Sequence, residues 1–199
     1  DGGCYCKQLR EGDVDWNEEE KMKISSRQLR VIMNTLGLDL NDDRLKGTPG
    51  RVAKMFVKER FSGMKPKNKP VIALFDNKYK YNQMLVEKNI ALFSNCEHHF
   101  VPIIGKAHVA YISCGKIIGL SKINRIVQYY SQRTQVQERL TIQIANELKS
   151  VLGTDDVAVV IDAVHLCVSS RGIKDINSST VTAEYGGAFS DAARKDEFL

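Results

Sequence analysis

The sequence predicts an α+β protein in which helices precede an antiparallel sheet. Apolar residues recur at helical spacing in the first third of the chain, and a lysine- and proline-rich linker follows at residues 65–70. Beyond that linker the pattern changes to short apolar runs with short polar connections, at residues 84–93 and 101–112. Such connections favour antiparallel pairing of neighbouring strands. Two further helical patterns and two further strands complete the chain.

The length and amino-acid composition are typical of an ordinary globular protein. The chain has 199 residues, enough to bury a sizeable core, and 43% are hydrophobic and 27% charged. No apolar run is long enough to span a bilayer and no secretion signal is visible, so we expect a cytoplasmic protein that binds no membrane. Five irregularly spaced cysteines favour free thiols over a disulfide framework. The net charge of +5 is too mild to indicate nucleic acid and suits a small anionic ligand.

We expect three regions along the chain. Residues 1–16 have no periodicity and are predicted to form a mobile N-terminal tail. Cys4 and Cys6 in this tail are expected to be free thiols, because no other Cys or His lies near them. Residues 17–83 are predicted to form an N-terminal helical region and linker, and residues 84–199 the catalytic domain.

Two helices are predicted in the second region. The first opens on three acidic residues and ends at Gly37. The second begins with Thr48 as its N-cap and Pro49 as its first helical residue. Arg51 and Lys54 are three positions apart on this helix and share a face. Their pattern alone predicts a solvated helix surface.

A metal site is the main functional prediction. Cys96 and His99 are separated by two residues, which lets one turn direct both side chains at an ion, and zinc binds thiolate and imidazole readily. In residues 157–168, interpreted as a strand, a period of two puts His165 and Cys167 on one face. Cys167 would complete a Cys-His-Cys set, whose three protein ligands leave a fourth position for water, as in catalytic zinc sites. The alternative is that these side chains only pack or hydrogen-bond.

Two helix starts carry polar side chains that have competing explanations. Ser121 is expected to cap a helix, and Lys122 and Arg125 flank an N-terminus whose free N–H groups attract phosphate. A Ser cap followed by basic residues is also common without any ligand. Thr134 and Gln137 have the spacing of a capping box at the start of the next helix.

Four motifs stand in the order and spacing of the GTP cyclohydrolase I family, which the chain resembles from about residue 39 to its end. They are Cys96-Glu97-His98-His99, Gly119-Leu120-Ser121-Lys122 with Arg125, Gln135-Val136-Gln137-Glu138-Arg139-Leu140-Thr141, and His165-Leu166-Cys167 with Arg171-Gly172. Two departures are visible, Ser113 where the family often has proline and Lys195 where arginine is common. Neither lies at a proposed catalytic position.

The resemblance implies conversion of GTP to 7,8-dihydroneopterin triphosphate and formate, the first step toward folate or tetrahydrobiopterin. It implies one zinc ion per subunit, held by Cys96, His99 and Cys167, which activates the water that attacks carbon 8 of guanine. It further implies that His165 protonates the ring nitrogen beside carbon 8. His98 would be a second acid/base group as the ring opens and formate leaves.

The resemblance also implies which residues bind GTP. The carboxylate of Glu138 would accept hydrogen bonds from the ring N–H and the exocyclic amine of guanine, with Gln137 beside it at the base. Glu138 and Ser121 are also counted among the catalytic residues. The other implied substrate-binding residues are Leu120, Ser121, Lys122, Arg125 and Arg171, together with Arg51 and Lys54 from a neighbouring subunit.

The fold implied by the resemblance is the tunnelling fold, an antiparallel sheet with helices packed on one side that closes into a barrel when subunits join. The usual assembly is a toroidal homodecamer with active sites at subunit interfaces. One alternative of the same fold is a deazaguanine nitrile reductase, which needs a free nucleophilic cysteine and a nicotinamide cofactor. Another is a zinc-stabilised nucleotide-binding module. The imidazoles beside Cys96 and Cys167 favour a metal enzyme over the nitrile reductase. Two further histidines favour an enzyme over the binding module.

Overall fold

The computed structural model describes residues 16–198. The predicted N-terminal tail, with Cys4 and Cys6, and the final Leu199 lie outside these residues, apart from Trp16. The described residues divide into two compact units, residues 16–62 and 63–198. Every helix within the described part is too short or too polar to cross a lipid bilayer.

The first unit is helical, as its sequence predicts. Helix α1 spans Glu18–Thr35 and begins with a capping box, in which Asn17 and Glu20 each accept a hydrogen bond from the other's backbone N–H. Helix α2 spans Thr48–Lys54 and continues as a π-helix over Met55–Arg60. The predicted cap of α2 is wrong: Gly47 occupies the N-cap, and the Thr48 hydroxyl accepts a hydrogen bond from Arg51 instead.

A five-stranded sheet organises the second unit. Its strands are β2 (Met84–Cys96), β3 (Pro102–Ile112), β5 (Thr134–Gln135), β6 (Val157–His165) and β7 (Thr180–Tyr185), in the order β5-β2-β3-β6-β7. All neighbours are antiparallel except the short β5, which runs parallel to the end of β2. A separate two-stranded ribbon pairs β1 (Leu74–Asp76) with β4 (Lys116–Ile118).

Two helices cover one face of the sheet. They are α3 (Leu120–Ser131) and α4 (Gln137–Leu152), and their apolar stripes meet the strand residues that point to that face. The resulting core includes Leu92, Ile103, Val109, Tyr111, Ile123, Ile126, Leu140, Ile144, Leu148, Val159 and Ile161. These residues alternate along each strand with others that face the opposite side, as a period of two requires. The predicted α+β class is confirmed.

The C-terminal segment packs against the other face at one end of the sheet. A 3-10 turn at Gly187–Ser190 leads into helix α6 (Ala192–Phe198). Phe189 and Phe198 are buried there against Ala110, Ala158 and Val160. The helices therefore lie mainly, and not entirely, on one side.

Three local predictions in this unit are wrong. Helix α3 begins at Leu120 with Gly119 as its N-cap, so Ser121 is inside the first turn. The capping box before α4 does not form, because Thr134 pairs in β5 and Val136 occupies the N-cap. The strand expected over residues 157–168 ends at His165, and Cys167 lies in the short helix α5 (Leu166–Ser169).

Candidate active site

Two sulfurs and an imidazole meet at one edge of the sheet. Cys96 ends β2, His99 lies in the turn that follows, and Cys167 lies in α5 just after β6. Their potential ligand atoms all lie within 4.8 Å of one another, and Cys96 Sγ is 3.9 Å from His99 Nδ1. Tetrahedral zinc holds thiolate and imidazole ligands about 3.5–3.8 Å apart. The three side chains are therefore placed to hold a metal ion.

Sheet register explains why these segments converge. Residue Asn95 near the end of β2 pairs with Pro102 at the start of β3, and Ile103 pairs with His165 at the end of β6. The ends of β2 and β6 consequently meet at the same edge. The reason given from sequence for including Cys167, a shared strand face with His165, is wrong because the strand has already ended. One turn of helix α5 brings the Cys167 side chain to Cys96 instead.

The environment of the two thiols suits a cation. Cys96 is buried and Cys167 half-buried. Burial, and then the neighbouring Cys96 sulfur, raise the pKa of the Cys167 thiol. A thiol whose ionisation is disfavoured in this way is stabilised as a thiolate when a metal binds beside it. Their chemistry fits a soft or borderline divalent ion such as zinc.

The turn that carries His99 is anchored to α4 and β5. The Glu97 carboxylate accepts a hydrogen bond from Arg139, and the Glu97 backbone N–H donates to the Gln135 carbonyl at 3.1 Å. Arg139 Nε also donates to Gln135 Oε1 at 3.0 Å. Phe100 closes the turn with a φ of 56° and a backbone hydrogen bond to Cys96. Sequence reasoning missed this anchor, although a charged residue between two candidate ligands was a visible signal.

His98 lies on the open side of the same turn. Its Nδ1 is 3.7 Å from Cys96 Sγ, and its Nε2 is 3.9 Å from a Glu97 carboxylate oxygen. The side chain is 65% exposed. His98 is therefore next to the metal group and accessible to a bound molecule.

His165 lies at the end of β6 against the start of α4. Its Nε2 is 2.7 Å from Gln137 Oε1. Burial lowers the pKa of His165, whereas the Glu138 carboxylate raises it, and the net shift is downward. Glu138 is exposed and acts electrostatically on His165, while Gln137 is 1% exposed. The two consecutive residues thus both act on His165, Gln137 through a hydrogen bond and Glu138 through its charge.

Of the predicted phosphate-binding residues, Arg171 lies at the metal group and those of α3 lie on an exposed helix start. Arg171 Nη1 is 3.1 Å from His99 Nε2, so it is at the metal group. Leu120, Ser121 and Arg125 are exposed on the first turns of α3, and Lys122 is half-buried there. No hydrogen bond or ion pair joins these α3 residues to the metal group within residues 16–198.

Arg51 and Lys54 lie on α2 in the first unit. The Arg51 guanidinium donates to the Arg44 carbonyl at 3.0 Å and to the Thr48 hydroxyl at 2.7 Å. Lys54 is exposed. Their assignment to a substrate site stays a prediction.

Known proteins resemble the chain over most of its length. The model of the family described as GTP cyclohydrolase I matches residues 25–199. A protein named GTP cyclohydrolase 1 from Flavobacterium johnsoniae is 63% identical over 191 residues, covering 96% of this chain and 86% of the relative. One of the same name from Vibrio cholerae is 55% identical over 182 residues, covering 91% and 83%. Among solved structures, an archaeosine synthase QueF-Like in its apo form aligns with 53% of this chain and 94% of its own, at 16% identity and a TM-score of 0.45. At that score the likeness says nothing about function.

Proposed function

The chain belongs to the GTP cyclohydrolase I family of enzymes, and from this membership we propose that it opens the guanine ring of GTP at carbon 8. The products would be 7,8-dihydroneopterin triphosphate and formate, at the entry to folate or tetrahydrobiopterin synthesis. The observation that carries the proposal is the Cys96-His99-Cys167 group, with His98 and His165 at the same sheet edge. Attack on a weakly electrophilic ring carbon needs an activated water and an acid, and this edge has residues for both.

The metal would be one zinc ion per subunit, held by Cys96, His99 and Cys167. Two thiolates and one imidazole are a donor set that zinc favours, and the spacing of the three side chains supports it. When bound, zinc supplies a Lewis acid that makes water nucleophilic near neutral pH. Glu97 and Arg139 would keep the ligand-bearing turn in place while substrate enters and leaves.

The two other histidines would move protons. His165 is held by a 2.7 Å hydrogen bond to Gln137 and would give a proton to the ring nitrogen beside carbon 8. That protonation makes the carbon more electrophilic. His98 is exposed beside the Cys96 sulfur and would exchange protons with the opened ring as formate leaves.

Glu138 would select guanine. Its carboxylate is exposed and close enough to His165 to influence it electrostatically, which supports a position beside the incoming base. A carboxylate can accept both the ring N–H and the exocyclic amine of guanine, whereas adenine does not present that pair of donors. An adenine base would leave the carboxylate without partners, which disfavours ATP.

The triphosphate would be bound by cations from more than one subunit. Arg171 lies at the metal group, whereas Ser121, Lys122 and Arg125 share the exposed start of α3. We propose that a homodecamer brings the α3 start of one subunit to the metal group of another, with Leu120 beside the substrate. Arg51 and Lys54 would join from a neighbouring subunit. Active sites at interfaces would make an isolated monomer inactive.

Turnover and metal content test this function together. Purified protein is analysed for metal and incubated with GTP without NADPH, while formate and the fluorescent oxidised pterin are measured. We expect about one zinc per subunit and stoichiometric formate. No formate from GTP, together with NADPH-dependent reduction of a deazaguanine nitrile, would favour the nitrile reductase. Zinc with GTP bound but not converted would favour the binding module.

Matched variants test the residue roles. Cys167→Ser should lose zinc and turnover, while Cys114→Ser, at an exposed turn cysteine, should keep both. His165→Ala should abolish product and retain zinc, with His108→Ala as the control in β3. Product from His165→Ala would show that another group is the acid.

A further inference from the structure

The orientation of the Gln137 side chain is fixed by what surrounds it. Gln137 is the first residue of α4, and its Nε2 lies 3.0 Å from the Ile161 carbonyl and 2.7 Å from the Thr180 carbonyl. Carbonyl oxygens only accept hydrogen bonds, so the NH₂ end of the amide must face them. The other end, Oε1, then faces His165 Nε2 at 2.7 Å.

Two threonine hydroxyls give the same orientation independently. Thr141 Oγ1 donates its only hydroxyl proton to the backbone carbonyl of Gln137, at 2.9 Å. The 2.7 Å contact between the two hydroxyls must therefore be donated by Thr182. With its own proton used, Thr182 Oγ1 can only accept, and Gln137 Nε2 lies 3.1 Å away. Because Nε2 has two hydrogens and three acceptors, one of these hydrogens is shared between two acceptors. The network runs in one direction and again makes Oε1 the acceptor toward His165.

We propose that Gln137 is a positioning residue that holds neutral His165 in the Nε2–H tautomer, so that Nδ1 is the nitrogen that exchanges a proton with substrate. An amide oxygen accepts and cannot donate, so Nε2 must carry a hydrogen. Nδ1 has no hydrogen-bond partner among residues 16–198. The tautomer rests on the hydrogen-bond network alone, whereas the role of Nδ1 rests on the proposed function.

The proton balance follows from this tautomer. When His165 acts as an acid, the Nδ1–H bond breaks and an N–H bond forms on the guanine nitrogen. The electron pair of the broken bond stays on Nδ1, and His165 is left neutral with its Nε2 hydrogen still donated to Gln137. This product state is the one that the network stabilises. Gln137, expected from the resemblance to lie beside the base, has its buried side chain committed to protein groups instead.

Solid-state ¹⁵N NMR of the full chain labelled at histidine tests the tautomer directly. The four histidines can be distinguished by the loss of one signal pair in His165→Ala. At a pH where His165 is neutral, we expect its Nε2 to be protonated and its Nδ1 unprotonated in a single population. A protonated Nδ1, or a mixture of both tautomers in the unmodified chain, would overturn the proposal.

Two variants test the role of Gln137. Gln137→Met keeps the side-chain length but removes the acceptor, so we expect a second tautomer to appear and kcat to fall at least about tenfold, with KM within about threefold. Thr182→Val disturbs the same buried network but leaves both carbonyls and Oε1 in place, so it should keep the single Nε2–H signal. A raised KM with unchanged kcat in Gln137→Met would instead indicate a contact with the base and overturn the positioning role.

The two proposals fail separately. If the unmodified chain releases no formate from GTP, the proposed function fails, and the spectrum still decides the tautomer. If it converts GTP but His165 carries its hydrogen on Nδ1, the function stands and the present inference is wrong.

Discussion

Gly105 has no room for a side chain where β3 pairs with β6. It pairs with Ala163, and a Cβ added at this position would lie 2.1 Å from the Asp162 carbonyl oxygen and 2.5 Å from the Ala163 Cα and Cβ. Two of these three atoms are backbone, which no rotamer change can move. Gly105→Ala therefore forces the two strands apart, and His165 lies only two residues beyond Ala163 on the strand that must shift.

The expected loss of stability follows from these distances. Contacts of a real Cβ almost never fall below 3.0 Å, so the strands must separate by roughly 1 Å at this point. That movement stretches the adjacent ladder hydrogen bonds beyond useful length, at about 1 kcal/mol for each of two bonds. Overpacking adds about 1–3 kcal/mol. The sum is roughly 3–5 kcal/mol, which for a domain of this size lowers Tm by roughly 6–20 °C.

Thermal unfolding followed by circular dichroism measures this shift, with all proteins at one concentration because an oligomer's Tm depends on it. Gly50→Ala is the matched control, since Gly50 lies in α2 and, apart from its chain neighbours and the backbone of its own helix, no atom of residues 16–198 lies within 4 Å of an added Cβ. It should raise the stability by about 0.5–1 kcal/mol because alanine is the better helix former. A Gly105→Ala Tm within 2 °C of the unmodified protein would refute the argument from close packing.

Three further predictions concern the site. Glu97→Gln weakens the charge-assisted bond to Arg139 and should lower zinc affinity roughly tenfold, measured in competition with a chelating dye. The control is Asp76→Asn, at an exposed ion pair, which should leave zinc affinity unchanged. Glu138→Gln should lower kcat/KM for GTP by about 100-fold with zinc content unchanged, and an unaffected kcat/KM would contradict its role at the base. Removing the metal with a chelator should abolish turnover, and adding zinc but not magnesium should restore it, because thiolates bind magnesium poorly; restoration by magnesium would argue against the sulfur ligands.

The parts of the site that could be predicted from sequence depend on short-range geometry. Cys96 and His99 are three positions apart in a turn, and a turn of that length keeps its two ends close whatever the rest of the chain does. The alternation of apolar residues likewise predicts the strands, because every second residue, such as Val159 and Ile161, must reach the core. The strand pattern predicts Cys167 for the wrong reason, since nothing in a period-two pattern marks where a strand stops. The Ser169 and Ser170 hydroxyls that donate to carbonyls four residues earlier help to turn the chain there.

Long-range pairing decides the start of α4, which local rules misjudge. A capping box needs only a hydroxyl and an amide three residues apart, and Thr134 and Gln137 meet that requirement in sequence. In the fold, Thr134 pairs with Asn95 of β2, and the Gln137 amide reaches carbonyls 24 and 43 residues away. Buried carbonyls left without donors would cost more than a cap contributes, so the tertiary partners prevail.

The same competition explains how two adjacent residues come to differ in role. Consecutive helix residues are about 100° apart around the axis, so anchoring Gln137 against the sheet leaves Glu138 turned toward the open side. A capping box would have drawn Gln137 back to the N-cap and freed His165 to rotate. Because the buried amide fixes both the helix start and the imidazole, the direction of Glu138 and the orientation of His165 depend on one side chain. Gln137→Met should therefore disturb guanine selection less than it disturbs proton transfer, since the backbone of α4 keeps most of its other contacts with β6 and β7.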